Sequence, residues 1–396
     1  MKNNIEHRMG KTEITVTSPN GDPLKNKTVA IKQTKLDFLF GSLESKALKY
    51  VGGELDGAEK ERAETYFNYY FGVFNAATLP FYWGAFEPER GKPDTGRMLN
   101  AAKFLTKNGI TLKGHPLCWQ TVTAPWLMKL TNPEIMEAQL SRIRRDVVDF
   151  AGIVNMWDVV NEAVIMPIFK QDNGITRICK EYGQIGLIGK AFGEARRANP
   201  AAVLLLNDYD TSDDYADLIR RVLDAGIKID AIGIQAHMHN GYWGVEKTME
   251  ILDRFSRFGL PLHFTENTII SGDLIPDNVE WNMYHNDNWQ STPEGEERQA
   301  KETVLHYAAL FSHPLVKSIT WWELTDGGWM GAPCGFITKD GRAKPVYNEI
   351  YKLINKEWRT AEHTVYTDEN GRAVVSGFKG EYKASCEDVE LTFKII

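Results

Sequence analysis

The 396-residue chain has few of the features that mark secreted disulfide scaffolds, membrane proteins or nucleic-acid-binding proteins. No apolar run is long enough to cross a bilayer, and the first residues lack the apolar core of a secretory signal. The formal net charge of −7 argues against nucleic acid or an anionic membrane as a partner. The chain has only four cysteines and no Cys-x-x-Cys pair. They are widely spaced, and the sequence does not show whether any two form a disulfide.

The sequence does not determine the cellular compartment of the protein. If a signal peptide has been removed from the chain, the protein is secreted or periplasmic; otherwise it is cytoplasmic. We expect a monomer, because nothing in the sequence indicates a partner subunit.

Several motifs are also missing. A Gly-x-Gly-x-x-Gly loop, which an open nucleotide-binding sheet would need after an early strand, is absent. The histidines do not have the His-Glu-x-x-His spacing of a zinc site, and no repeat of 20–50 residues is present. We therefore predict no metal and no cofactor. What the chain does have is eleven tryptophans, which fill protein cores but also form flat faces on which sugars stack.

Between the two ends of the chain, strand-like and helix-like patterns alternate. The run Asn155–Val164 is typical: it is nearly continuous in apolar residues, as a buried parallel strand is, and then reaches the polar pair Asn161-Glu162. About eight such strand–helix units predict a (β/α)8 TIM barrel over residues 37–357. The predicted strands are Phe38–Ser42, Ala76–Tyr82, Thr111–Trp119, Val154–Val160, Val203–Leu206, Ala231–Ile234, Leu262–Phe264 and Ser318–Trp322.

Short strand-like runs separated by turn residues occupy both ends of the chain. Because isolated hairpins are only marginally stable, we expect residues 1–36 and 358–396 to pair into one small β-sandwich. This sandwich either binds carbohydrate or simply braces the barrel.

Polar and aromatic residues follow most of the predicted barrel strands. In a barrel, the carboxyl ends of all strands meet at one face, where active sites form. Six polar strand ends on one face are difficult to explain by structure alone. The residues concerned are His115, Trp119, Asn161, Glu162, Asn207, Asp208, Tyr209, Gln235, His237, Glu266, Trp322 and Trp329.

Glu162 and Glu266 would follow the fourth and seventh strands, on opposite sides of the barrel mouth. Two carboxyl groups that flank a glycosidic bond are sufficient for its hydrolysis. One protonates the leaving oxygen, and the other attacks the anomeric carbon or activates water. The pair therefore predicts a glycoside hydrolase.

The chain also resembles glycoside hydrolase family 10, the family of retaining endo-β-1,4-xylanases. The resemblance covers residues 38–352 and keeps the family's order. The matching stretches are Phe40-Gly41, Gly114–Trp119, Trp157–Ala163, Leu206–Tyr209, Gly233–His237, Phe264–Glu266, Ile319–Trp322 and Lys344–Tyr347.

The resemblance implies roles for the matching residues. Glu162 corresponds to the general acid/base and Glu266 to the nucleophile, in a mechanism that retains the anomeric configuration. Asn161 corresponds to the residue that binds the 2-hydroxyl of the sugar being cleaved. His237 corresponds to a histidine that is hydrogen-bonded to the nucleophile.

Other matches surround that sugar. His115, Trp119 and Gln235 correspond to contacts with the sugar and the nucleophile, Trp322 to the aromatic floor, and Trp329 to a lid over the glycone side. Tyr209 is a candidate aglycone contact. The same residues have structural alternatives, since tryptophans and histidines are common in barrel cores.

The chain departs from the family pattern after the second strand. The family has Glu-Asn-x-x-Lys-Trp there, and the equivalent positions are Thr78, Leu79 and Tyr82. The position two residues after the nucleophile, usually Asp, is Thr268, and Gln120 replaces a histidine. The glycone site is thus predicted to be mostly apolar, with Tyr82 as its remaining polar contact.

These departures leave the exact substrate open. The sequence favours cleavage of a xylan-type polysaccharide. The alternatives are a decorated xylan or another β-glycoside, and a sugar-binding protein without catalysis. The long segment 271–296, which includes Trp281, Tyr284, His285 and Trp289, either supplies replacement sugar contacts or is a solvated loop.

Overall fold

A computed structural model describes residues 5–276, 278–279, 284, 286 and 288–396. Eight parallel strands, β3 to β10, close into a barrel in the order β10-β3-β4-β5-β6-β7-β8-β9. This confirms the predicted (β/α)8 barrel. The strands are β3 (Leu39–Leu43), β4 (Ala76–Pro80), β5 (Thr111–His115), β6 (Val154–Asn161), β7 (Val203–Asp208), β8 (Ala231–Met238), β9 (Leu262–Ile269) and β10 (Val316–Trp321).

Helices alternate with these strands and cover the outside of the barrel. They are α1 (Lys46–Val51), α2 (Gly57–Val73), α3 (Trp83–Phe86), α4 (Thr95–Lys107), α5 (Asn132–Asp149), α6 (Gly174–Tyr182), α7 (Gln184–Ala198), α8 (Asp213–Asp224), α9 (Gly244–Ser256), α10 (Pro293–Phe311) and α11 (Pro345–Lys352). Local sequence explains where several of them begin. Thr131 and Glu134 form a reciprocal capping box at the start of α5, and the Ser212 side chain caps α8.

The barrel strands are as deeply buried as their apolar composition predicts. Every residue of β8 and β9 is buried, including the polar residues near their carboxyl ends. Register shifts interrupt the strand pairs β6–β7, β8–β9 and β9–β10 close to those ends. Such irregularities turn side chains away from strict alternation, and they occur here beside the catalytic face.

The two ends of the chain pair with each other, as predicted. Strand β1 (Met9–Thr15) pairs with β12 (Arg372–Phe378), and β2 (Thr28–Leu36) lies between β11 (His363–Tyr366) and β13 (Gly380–Cys386). Strand β14 (Val389–Ile395) pairs with β13 at the edge. The apolar side chains between these two sheets form a small core of their own. It contains Ile14, Val16, Val29, Ile31, Ala373, Val375, Tyr382, Ala384, Cys386 and Ile395.

Arg8 joins the N-terminal segment to the barrel at the entrance to β10. Its guanidinium donates hydrogen bonds to the carbonyl oxygens of Phe311 (3.0 Å), His313 (2.7 Å) and Val316 (2.8 Å). The same group lies over the rings of Phe38 (4.7 Å) and Phe311 (4.9 Å). A buried arginine with three acceptors and two aromatic faces holds the terminal segment in place.

The structure shows the state of the cysteines and the character of the helices. All four cysteines are buried free thiols: Cys118, Cys179, Cys334 and Cys386. Within the ranges that the structure describes, no helix has the length and apolarity needed to cross a membrane.

Replacing Arg8 with Met should destabilise the fold, because three buried carbonyl oxygens lose their donor while the apolar stem remains. We expect the free energy of unfolding to fall by about 2–4 kcal/mol, measured by urea denaturation. Lys11→Met, on the exposed side of β1, is the matched control and should change stability by less than about 0.5 kcal/mol. Equal effects of the two substitutions would contradict a specific role for Arg8.

Candidate active site

Glu162 and Glu266 both lie at the carboxyl-terminal face of the barrel. Glu162 follows the last residue of β6, and its backbone N–H donates to the Asn207 carbonyl oxygen (2.8 Å) at the end of β7. Its φ of +55° is a left-handed conformation that ends the strand and is uncommon for a glutamate. Glu266 is within β9, and its side chain is only 4% exposed. The barrel therefore brings the two predicted carboxyl groups to one face.

A network of amides joins the two carboxyl groups. The Asn207 side-chain amide donates to Asn161 Oδ1 (2.7 Å) and to Glu266 Oε1 (3.2 Å). Asn161 in turn donates to Glu162 Oε1 (3.2 Å) and accepts a hydrogen bond from Gln235 (3.1 Å). Asn161 and Gln235, both predicted site residues, thus hold each other in place beside Glu162.

Close packing around Asn207 explains its fixed position. Its Oδ1 accepts a hydrogen bond from Thr265 Oγ1 (2.6 Å). A Cβ atom added at Gly233, on the neighbouring strand, would lie 2.3 Å from the same Oδ1. Glycine at 233 therefore makes the room that the Asn207 side chain occupies. The sequence identified Asn207 only as one of the polar strand ends, and the structure places it between the carboxyl groups.

The segment after β5 places Trp119 and Gln120 beside Glu162. It continues along β6, where the Leu117 N–H donates to the Asp158 carbonyl oxygen and the Asn161 N–H donates to the Cys118 carbonyl oxygen (2.9 Å each). Gln120 then donates from its side chain to Glu162 Oε2 (3.3 Å). In the sequence, Gln120 stands out only as a departure from the family pattern, and its contact with the carboxyl group was not predicted.

A buried charge cluster lies beneath Glu266. Asp158 accepts hydrogen bonds at one oxygen from Lys113 Nζ (2.6 Å) and from His115 Nδ1 (2.7 Å), while His115 Nε2 lies 3.8 Å from Glu266 Oε1. Burial alone would raise the pKa of Asp158, but Lys113 and His115 hold it below its usual value. Asp158 therefore keeps a negative charge that orients His115 toward Glu266. Lys113 was missed in the sequence because a lysine inside a buried strand has no motif of its own.

His237 contacts the other oxygen of Glu266. Its Nε2 is 3.2 Å from Glu266 Oε2, and its Nδ1 is 3.5 Å from Thr268 Oγ1. Burial lowers the pKa of His237 to about 3, so its imidazole is neutral at ordinary pH. The hydroxyl at 268 carries no charge that would offset this effect of burial, as an aspartate would.

Aromatic rings surround the two carboxyl groups. Tyr82 lies with its ring centroid 5.8 Å from those of His115 and Trp119, and Trp322 meets His115 edge to face at 5.4 Å. Trp329 belongs to a short 3-10 helix after β10. Its ring stacks on that of His237, with the two centroids 4.1 Å apart. Together these rings form the walls expected of a sugar site.

Tyr209 and Asp208 lie on the other side of the face. Tyr209 lines a cavity of about 470 Å³ together with Gln235, His237, Tyr242 and Trp243. Asp208 is fully buried and accepts the Val164 N–H (3.0 Å), which anchors the turn after Glu162. The structure therefore places Tyr209 at a cavity wall and Asp208 in a supporting position.

Burial raises the pKa of both predicted catalytic groups. The pKa of Glu162 is raised to about 8 by burial, and the nearby charges of Asp208 and Glu266 act in the same direction. The pKa of Glu266 is raised to about 7 by burial, against the lowering effect of His115 and Lys113. His115 and Lys113 thus favour the ionised form of Glu266, whereas the charges of Asp208 and Glu266 favour the protonated form of Glu162, as a nucleophile and an acid require.

Thr78 and Leu79, which are predicted to make the glycone site mostly apolar, are buried within β4 at 1% and 0% exposure, as Asn161 is at 1%. Their part in the glycone site stays a prediction. Trp289 is not an open sugar contact: it packs on Ile275 and Cys334, and its indole N–H donates to the Asp273 carbonyl oxygen (2.8 Å). Trp281 and His285 lie outside the described residues.

The site holds no metal-ligand set. In the part of the chain that the structure describes, no three His, Cys, Asp or Glu side chains come together as metal ligands would. The carboxyl groups are instead held by amides, imidazoles and tryptophans.

Comparisons with known proteins point in one direction. The model of glycosyl hydrolase family 10 matches residues 42–353. An endo-1,4-beta-xylanase/feruloyl esterase of Xylanibacter ruminicola is 30% identical over 65% of this chain and 39% of its own. Endo-1,4-beta-xylanase B of Thermotoga neapolitana is 28% identical over 69% of this chain and 78% of its own. The chain therefore spans about two fifths of the first relative's length.

Solved structures agree on the fold. Native xylanase 10B of Thermotoga maritima superposes with a TM-score of 0.64 at 23% identity, covering 81% of this chain and 96% of that one. A family-10 structure from Paenibacillus barcinonensis gives 0.66 at 23% identity, with the same coverage of both chains.

Glu266→Gln should change how stability depends on pH. Because the pKa of Glu266 is raised from 4.5 to about 7, the folded state binds the proton more tightly than the unfolded state does. The protonated Glu266 therefore contributes fully to the free energy of unfolding below about pH 4.5, and this contribution is lost as pH rises through about 7. We expect the variant to gain roughly 1–3 kcal/mol relative to the original protein between pH 4.5 and 8, measured by urea unfolding. Exposed Glu246→Gln should show a flat difference, and a flat difference for Glu266→Gln would disprove the linkage.

Thr268→Asp should raise the pKa of His237, because a carboxylate beside Nδ1 stabilises the imidazolium. The measurement is an NMR titration of the histidine ring signals. Thr268→Asn, of the same shape without the charge, should leave His237 neutral above pH 5. If both variants titrate alike, charge at position 268 does not control the histidine.

Proposed function

Because the chain belongs to glycosyl hydrolase family 10, we propose that it is a retaining glycoside hydrolase that cleaves β-1,4-linked, xylan-type polysaccharide. The observation that carries this proposal is the pair Glu162 and Glu266 on one face of the barrel, joined through Asn161 and Asn207. The xylanase names of the relatives support the substrate class.

In the first step, Glu266 attacks the anomeric carbon while Glu162 protonates the departing glycosidic oxygen. The C–O bond breaks, and a glycosyl ester forms at Glu266. The raised pKa of Glu162, about 8, keeps its proton available near neutral pH. The His115 and His237 side chains favour the ionised nucleophile by facing its two oxygens.

In the second step, Glu162 removes a proton from water, and the water oxygen displaces Glu266 from the anomeric carbon. Two displacements restore the original configuration. The carboxyl groups are expected to lie about 5–5.5 Å apart, as in retaining enzymes.

The surrounding side chains would bind the sugars. Asn161 would donate its second amide hydrogen to the 2-hydroxyl of the cleaved sugar, and Trp119, Gln235 and His115 would surround that sugar. Trp322 forms its floor. Trp329 and Tyr82 lie on the glycone side, and Tyr209 lines the cavity proposed for the aglycone.

The glycone side favours a second candidate. Thr78 and Leu79 replace the polar residues that the family has in the second strand, so a decorated xylan or another β-glycoside is the alternative substrate. A polysaccharide panel with product analysis separates these substrates and reports endo or exo action. Binding without release of reducing sugar would indicate a sugar-binding protein instead.

The organisation of the chain fits this role. We propose residues 37–357 as the catalytic barrel, and residues 1–36 and 358–396 as a sandwich that braces it. The enzyme is proposed to act as a monomer on its polysaccharide.

Substitution of the two carboxyl groups should have different consequences. Glu266→Ala should abolish turnover of every substrate, because no covalent intermediate forms. Glu162→Ala should reduce polysaccharide hydrolysis by about 10²–10⁴-fold but spare the first step on an aryl glycoside, whose leaving group needs no proton. Initial rates on xylan and on a dinitrophenyl glycoside measure this. Glu246→Ala is the control, and equal losses on both substrates with Glu162→Ala would contradict its assignment as the acid.

A further inference from the structure

The glycone side of the cleft lies where strands β10, β3 and β4 end. Thr78, in the middle of β4, has only a hydroxyl where the family has a glutamate. Its carbonyl oxygen accepts the Glu44 N–H (2.9 Å), so the chain after β3 runs directly beside it. Polar groups that follow β3 and β10 are therefore the nearest replacements for those missing after β4.

Glu323 is the first of these groups. It directly follows Trp322, and its half-buried carboxylate has no hydrogen bond or ion pair to any other described side chain within 4 Å. Burial and the charge of Glu266 are the two largest causes of the raised pKa of Tyr82, and the charge of Glu323 is the third. Glu323 therefore lies near Tyr82, one of the rings around the two carboxyl groups.

Gly328 holds space for that carboxylate. A Cβ atom added at Gly328 would lie 2.0 Å from Glu323 Oε2. Gly328 immediately precedes Trp329, whose indole stacks on His237. The Glu323 carboxylate thus lies against the backbone that carries the aromatic lid.

Lys46 is the second group. It is half-buried after β3; its Nζ donates to Thr325 Oγ1 (2.7 Å) and lies 4.1 Å over the Tyr66 ring. Burial lowers the pKa of Lys46, and the charges of Glu44 and Glu323 oppose that shift, so Lys46 and Glu323 lie near each other. An ammonium has three donors, and Thr325 accounts for one.

Glu44, although nearby, is already occupied. Its oxygens accept the Tyr66 hydroxyl (2.5 Å) and the Ala47 N–H (2.8 Å), and it is fully buried. Glu44 supports this corner of the structure and is not available to a ligand.

We propose that Glu323 and Lys46 determine glycone specificity by binding the hydroxyls of the sugar that precedes the cleaved one. The inference rests on the proposed function. A carboxylate accepts hydrogen bonds from two neighbouring hydroxyls, and an ammonium donates to a hydroxyl oxygen. Strands β10 and β3 thereby supply the recognition that β4 lacks.

The test compares kcat/KM on two substrates with the same leaving group. p-Nitrophenyl β-xyloside places one sugar on the glycone side, and p-nitrophenyl β-xylobioside places two. We expect E323Q and K46M each to lower kcat/KM for the xylobioside about 10- to 100-fold more than for the xyloside. K49M, at an exposed lysine on the same helix, is the matched control and should leave the ratio unchanged.

G328A tests the same idea without altering either charged group. Its methyl displaces the Glu323 carboxylate, so it should lower the xylobioside-to-xyloside ratio in the same direction as E323Q. G186A, at a position on α7 with open space, is the control glycine substitution.

The outcomes separate the two proposals. Equal losses on both substrates, or no loss on either, would overturn the glycone assignment while the hydrolase stands. An unsubstituted protein that hydrolyses neither aryl substrate nor xylan would overturn the proposed function itself, and the glycone assignment with it.

Discussion

The catalytic face depends on one side chain, that of Asn207. It donates to Glu266 directly and to Glu162 through Asn161, so the positions of both carboxyl groups are linked to a single amide. Thr265 holds that amide, and Gly233 leaves room for it. Burying two acids so close together is costly, since each disfavours ionisation of the other. The hydrogen bonds of this network limit that cost, although burial still raises the pKa of both carboxyl groups.

Much of this arrangement was predictable from the sequence. The apolar run Val154–Asn161 with its polar end identified a buried strand, and the repeated pattern identified the barrel. Convergence of strand ends then placed Glu162, Glu266, His237 and Trp322 on one face. What could not be predicted depends on contacts between distant residues. The sequence of the strand that contains Lys113 does not indicate that its ammonium binds Asp158. The segment around Trp289 has the composition of a sugar contact, but the indole of Trp289 packs inward.

The departures from the family pattern can be explained physically only from the three-dimensional structure. Thr78 and Leu79 remove polar groups from β4, which lies between β3 and β5 in the barrel. The ends of neighbouring strands are the nearest places from which other polar groups could replace them. Specificity in a barrel can move between adjacent strand ends without any change at the catalytic carboxyl groups, because each loop is attached independently to the same rigid sheet. Substrate choice and chemistry are therefore separable on this fold.

The pairing of β2 with β13 joins residues more than 340 positions apart. A chain synthesised from its N-terminus must therefore wait for β11 and β13 before β2 has its two partners. At ordinary elongation rates this delay is on the order of tens of seconds. During that time β2 would expose an unpaired edge and an apolar face that includes Val29 and Ile31. Two of the exposed residues of β2 are lysines, Lys32 and Lys35. Charged residues of this kind discourage edge-to-edge association, so a strand that waits this long is also protected against aggregation.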